Sequence, residues 1–240
     1  MQTSLGFVAW GVRLALFLGP IACNAGEEDR WKDLTAEEIG DAGKGAQIFR
    51  DNRCVECHSF EGEGGSDAPP LDFMKGKMSA RDVADMTGTL WNHIPHMIPA
   101  FEAEQIPYPT FEEGEMADLI AYLHGGSGAA ADSTAPAGHE GGADVPVEAL
   151  GDPSNGRRLF DDKKCSECHS YGGMGGEDAP SFDDMAGHLS AREVADMGGR
   201  MWSSFPEMLM HFEEEGVEVP TFAPGEAADL LAYLHGGPMP

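Results

Sequence analysis

Apolar residues along the chain gather into short stripes at helical spacing, and the stripes occur as two similar sets. Asp41 and Ser154 stand as helix starts ahead of Ile48-Phe49 and Leu159-Phe160. Ser190-Ala191-Arg192-Glu193 is a capping box opening a helix that runs towards Trp202, and Ser79 with Asp82 is its weaker counterpart. Thr110-Phe111-Glu112-Glu113 reads as the cap of a further helix, with Leu119, Ile120 and Leu123 as core candidates. Double glycines at 125–126 and 236–237 stop the last helix of each set. No stretch alternates convincingly as a strand, so the pattern predicts an all-α fold.

The two sets are copies. A shift of 111 residues, Cys54 onto Cys165, superposes them without insertion. Gly64-Gly65-Ser66-Asp67-Ala68-Pro69 falls on Gly175-Gly176-Glu177-Asp178-Ala179-Pro180, and Tyr122-Leu123-His124-Gly125-Gly126 on Tyr233-Leu234-His235-Gly236-Gly237. The chain is therefore a tandem duplication with domains at 41–126 and 151–240. Residues 127–150 are rich in Ala, Gly, Asp and Pro and read as a flexible linker. Residues 26–40 form an acidic lead-in in which Thr35-Ala36-Glu37-Glu38 is a short capped helix. A unit of about 85 residues is marginal on its core alone and needs a supplement.

Residues 1–25 read as an export signal: Leu14 to Ala22 is apolar but too short to span a bilayer. Cys23 follows Gly19-Pro20-Ile21-Ala22, an approach that resembles a lipoprotein cleavage site except that Pro20 stands where such sites usually carry Leu. Two readings stand: Cys23 as a lipid anchor at the periplasmic face of a membrane, or ordinary cleavage after Ala22 or Ala25 that releases a soluble periplasmic protein. The formal charge of -27 on 25.6 kDa excludes nucleic acid and anionic lipid as natural partners. It either steers a basic redox partner or serves solubility alone.

Cys54-Val55-Glu56-Cys57-His58 and Cys165-Ser166-Glu167-Cys168-His169 are both CxxCH, the signature of covalent c-type haem attachment. Two thiols one helical turn apart reach the two vinyl groups of one porphyrin, and the adjacent histidine comes under the iron. Covalent haem also supplies the apolar mass that so small a domain lacks. A thioredoxin-like pair would want a strand-to-helix context, and a zinc cage a second CxxC within the unit; neither is present. The expected cofactors are two haem c groups with their iron.

Gly45 with Phe49, CxxCH, a Gly-rich loop ending in Pro69, and Asp118-Leu119-Ile120-Ala121-Tyr122-Leu123 resemble class I cytochrome c. The second copy repeats this with Gly156, Phe160, Pro180 and Asp229-Leu230-Leu231-Ala232-Tyr233-Leu234. The resemblance implies first and last helices of each copy crossing near Gly45/Tyr122 and Gly156/Tyr233. It further implies that the carbonyls of Pro69 and Pro180 receive the ring N–H of His58 and His169. A methionine is implied as second axial ligand.

Methionines that recur at the shift are Met74/Met185, Met86/Met197 and Met97/Met208. The first pair follows the Pro loop too closely and the second sits within the capped helix. Met97 and Met208 come just after Pro95 and Pro206, where the helix is expected to have ended and the chain to turn over the haem; Trp-x3-Pro-x-Met resembles a bacterial class I subgroup with its ligand there. The competing histidines are His124/His235, read as dipole-complementing residues of the last turn, and His93 and His96, which have Ser204 and Glu207 opposite and serve at most one haem. Trp91 and Trp202 are expected at a haem edge; Arg81 and Arg192 are expected in surface salt bridges, with a haem propionate as the other reading.

An iron with both axial positions filled has no site for substrate, so the expected function is electron transport, alone or as a subunit of a larger respiratory or oxidoreductase complex. A di-haem peroxidase needs one five-coordinate iron, and a gas or redox sensor needs an output domain; neither is visible in the sequence.

Overall fold

The computed structural model describes residues 31–131, 144–187 and 189–237. The export-signal segment, Cys23 and residues 132–143 of the expected linker lie outside the described residues. The first copy contributes α1 (Ala36–Ile39), α2 (Ala42–Asp51), α3 (Cys54–Cys57), α4 (Ala80–Ala103) and α5 (Glu115–Ala131). The second contributes α6 (Val147–Leu150), α7 (Pro153–Asp162), α8 (Cys165–Cys168), α9 (Ala191–Glu215) and α10 (Glu226–Gly236). Strands among the described residues are confined to two antiparallel hairpins, Ser59–Phe60 with Glu63–Gly64 and Ser170–Tyr171 with Met174–Gly175. The fold is all-α, as the pattern predicts. None of the described helices is long and apolar enough to cross a membrane.

Caps set the helix starts. The Asp41 carboxylate accepts from the N–H groups of Gly43 and Lys44. In the second copy Asp152 does this, accepting from Ser154 and Asn155, rather than the expected Ser154. Pro153 takes the first helical position, where a missing N–H is harmless. Ser79 and Ser190 each form the full capping box. Within each copy the first and last helices meet at a glycine. A Cβ on Gly45 would run into the Asp118 carbonyl and lie 2.8 Å from Tyr122 Cβ; one on Gly156 would strike the Asp229 carbonyl. The crossings implied by the family resemblance are therefore present at Gly45/Tyr122 and Gly156/Tyr233.

Several expectations need correcting. Residues 144–150 are not tether: Val145 and Leu150 are buried, and the Val145 N–H donates to Leu189 O at 2.7 Å. The lead-in is likewise structural, with Leu34 and Ile39 fully buried and Leu34 N–H donating to Met78 O at 2.7 Å. The duplication thus extends upstream of Asp41, each copy strapping its first residues onto the segment before its long helix. The second correction concerns those helices, which do not end at Pro95 and Pro206: α4 passes through Pro95 and Pro99, and α9 through Pro206. A proline strands the carbonyl four residues back. For Pro206 that carbonyl is Trp202 O, and it accepts instead from the Tyr108 hydroxyl of the first copy at 2.9 Å. The third concerns His124, which is no dipole-facing surface cation. It is buried, with Nε2 at 3.1 Å from Leu34 O, and holds the N-terminal strap.

The arginines expected on the surface join the two copies. Arg192 Nη1 meets Asp118 Oδ1 at 2.5 Å and Arg81 Nη1 meets Asp229 Oδ1 at 2.8 Å. Arg192 also donates to Gly114 O, and Arg81 to Leu150 O and Gly225 O. Each last helix is capped by a carboxylate of the opposite copy: Asp196 accepts from Gly114 N–H and Asp85 from Gly225 N–H, both at 2.8 Å. The expected capping by Thr110 to Glu113 is thereby replaced. The front half of α4 lies on α10 and that of α9 on α5, so each copy completes the other's core. The buried apolar residues of both copies form one continuous cluster.

The two clamps should differ in worth. The Asp118 side chain is 5% exposed, so Arg192→Ala leaves a buried charge short of its partner and should lower unfolding free energy by about 3 kcal/mol. Arg81 is 43% exposed and its pair is more screened; Arg81→Ala should lower it by about 1 kcal/mol. Denaturant titration of the haem-loaded chain checks both, and equal losses would contradict the burial argument.

Candidate functional site

Each CxxCH begins on a left-handed residue, Arg53 (φ 60) or Lys164 (φ 68). The conformation is uncommon for a side-chain-bearing residue, and in both copies an ion pair to the next turn accompanies it: Arg53 with Glu56 and Lys164 with Glu167, each at 2.6 Å. The single helical turn that follows brings the two cysteines of each motif to one side, and the histidine N–H closes it on the first cysteine's carbonyl at 2.9 Å. The loop then folds back: Gly65 N–H donates to Val55 O and Gly176 N–H to Ser166 O. A Cβ on Gly65 or Gly176 would collide with the Glu56 or Glu167 carbonyl, which is why the loop carries glycine there.

This return loop delivers the prolines. His58 Nδ1 lies 2.8 Å from Pro69 O and His169 Nδ1 2.8 Å from Pro180 O, so each ring donates there and keeps Nε2 for another partner. The four described cysteines are free thiols. Burial pushes the Cys54 and Cys165 thiols up to about 11. A dithiol redox pair needs the opposite, a thiol driven down towards neutrality. Among the described residues no three His, Cys, Asp or Glu side chains gather as a metal cage. A thiol packed against the apolar core, one turn from a second thiol and beside a histidine whose ring is held in place, fits a covalently attached haem.

Past the proline the two copies diverge. Phe182 stacks on the His169 ring, centroids 4.3 Å apart and planes 16° from parallel. Leu71 is its counterpart under the duplication. Sequence reasoning passed over this difference, although a Leu-to-Phe change beside an otherwise matched motif was legible.

The methionines are rearranged by the uninterrupted helices. Met97 and Met208 lie within α4 and α9, both half-buried, rather than in a loop past a helix end. Met86 and Met197 sit in the front halves, which pack on the opposite copy. Met74 and Met185 lie in short 3-10 turns after the Pro loops. His93 stands one turn before Met97 on the same helix face; burial holds its imidazole below the usual range, and His58 and His96 add to that.

The tryptophans expected at a haem edge direct their polar atoms across the domain interface. Trp91 Nε1 donates to Pro220 O at 2.6 Å and Trp202 Nε1 to Pro109 O at 2.7 Å. Trp91 lies against Phe205, Phe212 and Phe222, and Trp202 against Tyr108 and Phe111. The interface is in this sense part of the site, because the helices bearing the candidate ligands are pinned by it.

A family model described as cytochrome c matches residues 42–127 and again 153–237. Comparisons with curated proteins and with solved structures gave no match.

Proposed function

The chain belongs to the cytochrome c family, and we propose that it is a periplasmic di-haem carrier that passes single electrons between protein partners. Family membership implies covalently bound haem c and electron transfer through it. The observation that carries the di-haem reading is the exact recurrence of the motif geometry: two CxxCH turns, each with its histidine Nδ1 at 2.8 Å from a proline carbonyl.

When bound, haem supplies a one-electron iron couple. The residues of the chain hold and insulate it. Cys54 and Cys57, and Cys165 and Cys168, are the attachment thiols. His58 and His169 would hold the iron through Nε2, their tautomer and direction set by the bonds from Nδ1 to the carbonyls of Pro69 and Pro180. Met97 and Met208 would serve as the second ligands: they recur under the duplication and are half-buried on α4 and α9, and a thioether there would favour the reduced state. Trp91 and Trp202 hold those helices against the opposite copy. The acidic surface docks a basic partner through a weak, salt-sensitive encounter. Cys23 is the candidate lipid anchor, and a place within a larger respiratory complex is compatible with every one of these roles.

A second reading applies to the first copy alone. His93, one turn before Met97 on α4 and replaced by Ser204 in the second copy, is the competing ligand there. Absorption spectra of the oxidised protein decide. Met208→Ala and Met97→Ala should each remove half of the weak long-wavelength band that marks iron–thioether ligation, with His93→Ala leaving it intact. If Met97→Ala leaves the band unchanged and His93→Ala perturbs the spectrum, the first haem is bis-histidine.

A further inference from the structure

Both proximal histidines make the same hydrogen bond to the same kind of carbonyl, yet only one of them has an aromatic face laid on it. Phe182 covers His169 at 4.3 Å, itself held against Phe160 at 6.1 Å, while the corresponding position in the first copy is Leu71. The face of an aromatic ring is electronegative. An axial imidazole carries more positive charge when its iron is oxidised than when it is reduced. A face-on phenyl therefore stabilises the oxidised state through the histidine, where a leucine of similar apolarity does not.

We propose that Phe182 is a positioning residue that makes the two haems unequal, giving the second copy the lower reduction potential and so a direction to electron flow. An electron delivered by a one-electron donor protein to the second copy moves to the first, oxidising the iron on His169 as it reduces the iron on His58, and leaves from there to a one-electron acceptor protein. The fused interface suits this, because the copies are held together rather than meeting by chance. The inference rests on the di-haem reading above.

Redox titration of the full haem-loaded chain tests it, followed by absorbance. Two one-electron steps are expected. Phe182→Leu should raise the lower step towards the upper and leave the upper in place; Leu71→Phe should lower the upper step and narrow the gap from the other side. Movement of the upper step in Phe182→Leu, or no movement in either variant, overturns the proposal. Should Phe182→Leu fail to load haem, Leu71→Phe alone still decides. A parent protein bearing fewer than two haems would instead count against the di-haem reading, and haem content by mass is measured first for that reason.

Discussion

A chain in which Cys165 and Cys168 are both replaced by alanine will carry one haem, and its remaining site will be less stable than in the parent. The first half of the expectation follows from thioether chemistry: without either thiol, nothing holds the porphyrin of the second copy covalently. The second half follows from the fold. The front half of α9 lies on α5, Arg192 clamps Asp118, and Asp196 caps the start of α5. Loss of the apolar mass of haem loosens the second copy, and with it the parts of α9 that complete the first. Mass spectrometry should find one haem fewer. Thermal unfolding followed at the remaining haem should shift to lower temperature in a single transition. Two independent domains would leave the first site's transition where it was, and that result would show that the shared core does not couple them.

The chemistry of this protein was far more legible than its tertiary arrangement. The CxxCH motifs, the proline carbonyls, the helix crossings at Gly45 and Gly156 and the capping boxes at Ser79 and Ser190 are all local, or fixed by close backbone approach, and each leaves a residue-level signature. The pairing between copies leaves none. Arg81 and Arg192 are equivalent under the duplication, as are Asp118 and Asp229, so an arginine of one copy satisfies an aspartate of either. Repetition makes the sequence degenerate about its own partners, and only the structure resolves Arg81 to Asp229 and Arg192 to Asp118. The same degeneracy hid the roles of Trp91 and Trp202.

Two other misreadings have plainer causes. Val145 and Leu150 stand nearly alone in a polar stretch, and composition outweighed the fact that they fall on Leu34 and Ile39 under the repeat. Pro95 and Pro206 read as helix ends because proline removes a donor and crowds the preceding turn. Within one copy nothing repairs that loss. In the folded chain the Tyr108 hydroxyl, from the other copy, takes the Trp202 carbonyl that Pro206 strands. A helix that is locally disfavoured persists because a distant residue satisfies it.

Trp202 is where these threads meet, and its removal should be the most damaging single change at the interface. The indole is 6% exposed, stacks on Tyr108 at 5.6 Å, meets Phe111 edge-on at 5.9 Å and donates to Pro109 O at 2.7 Å. Trp202→Ala removes the stack, opens a cavity and orphans a buried carbonyl, for a loss of about 4 kcal/mol in unfolding free energy. Trp202→Phe keeps most of the packing and orphans only Pro109 O, for about 1–2 kcal/mol. Tyr108→Phe keeps the ring and leaves Trp202 O without its donor, again about 1–2 kcal/mol, with the loss falling on the turn just before Met208. Denaturant titration of the haem-loaded proteins ranks the three, and hydrogen exchange of the α9 amides locates the effect. If Trp202→Ala costs no more than Trp202→Phe, the aromatic nest contributes little and the polar clamps alone hold the copies together.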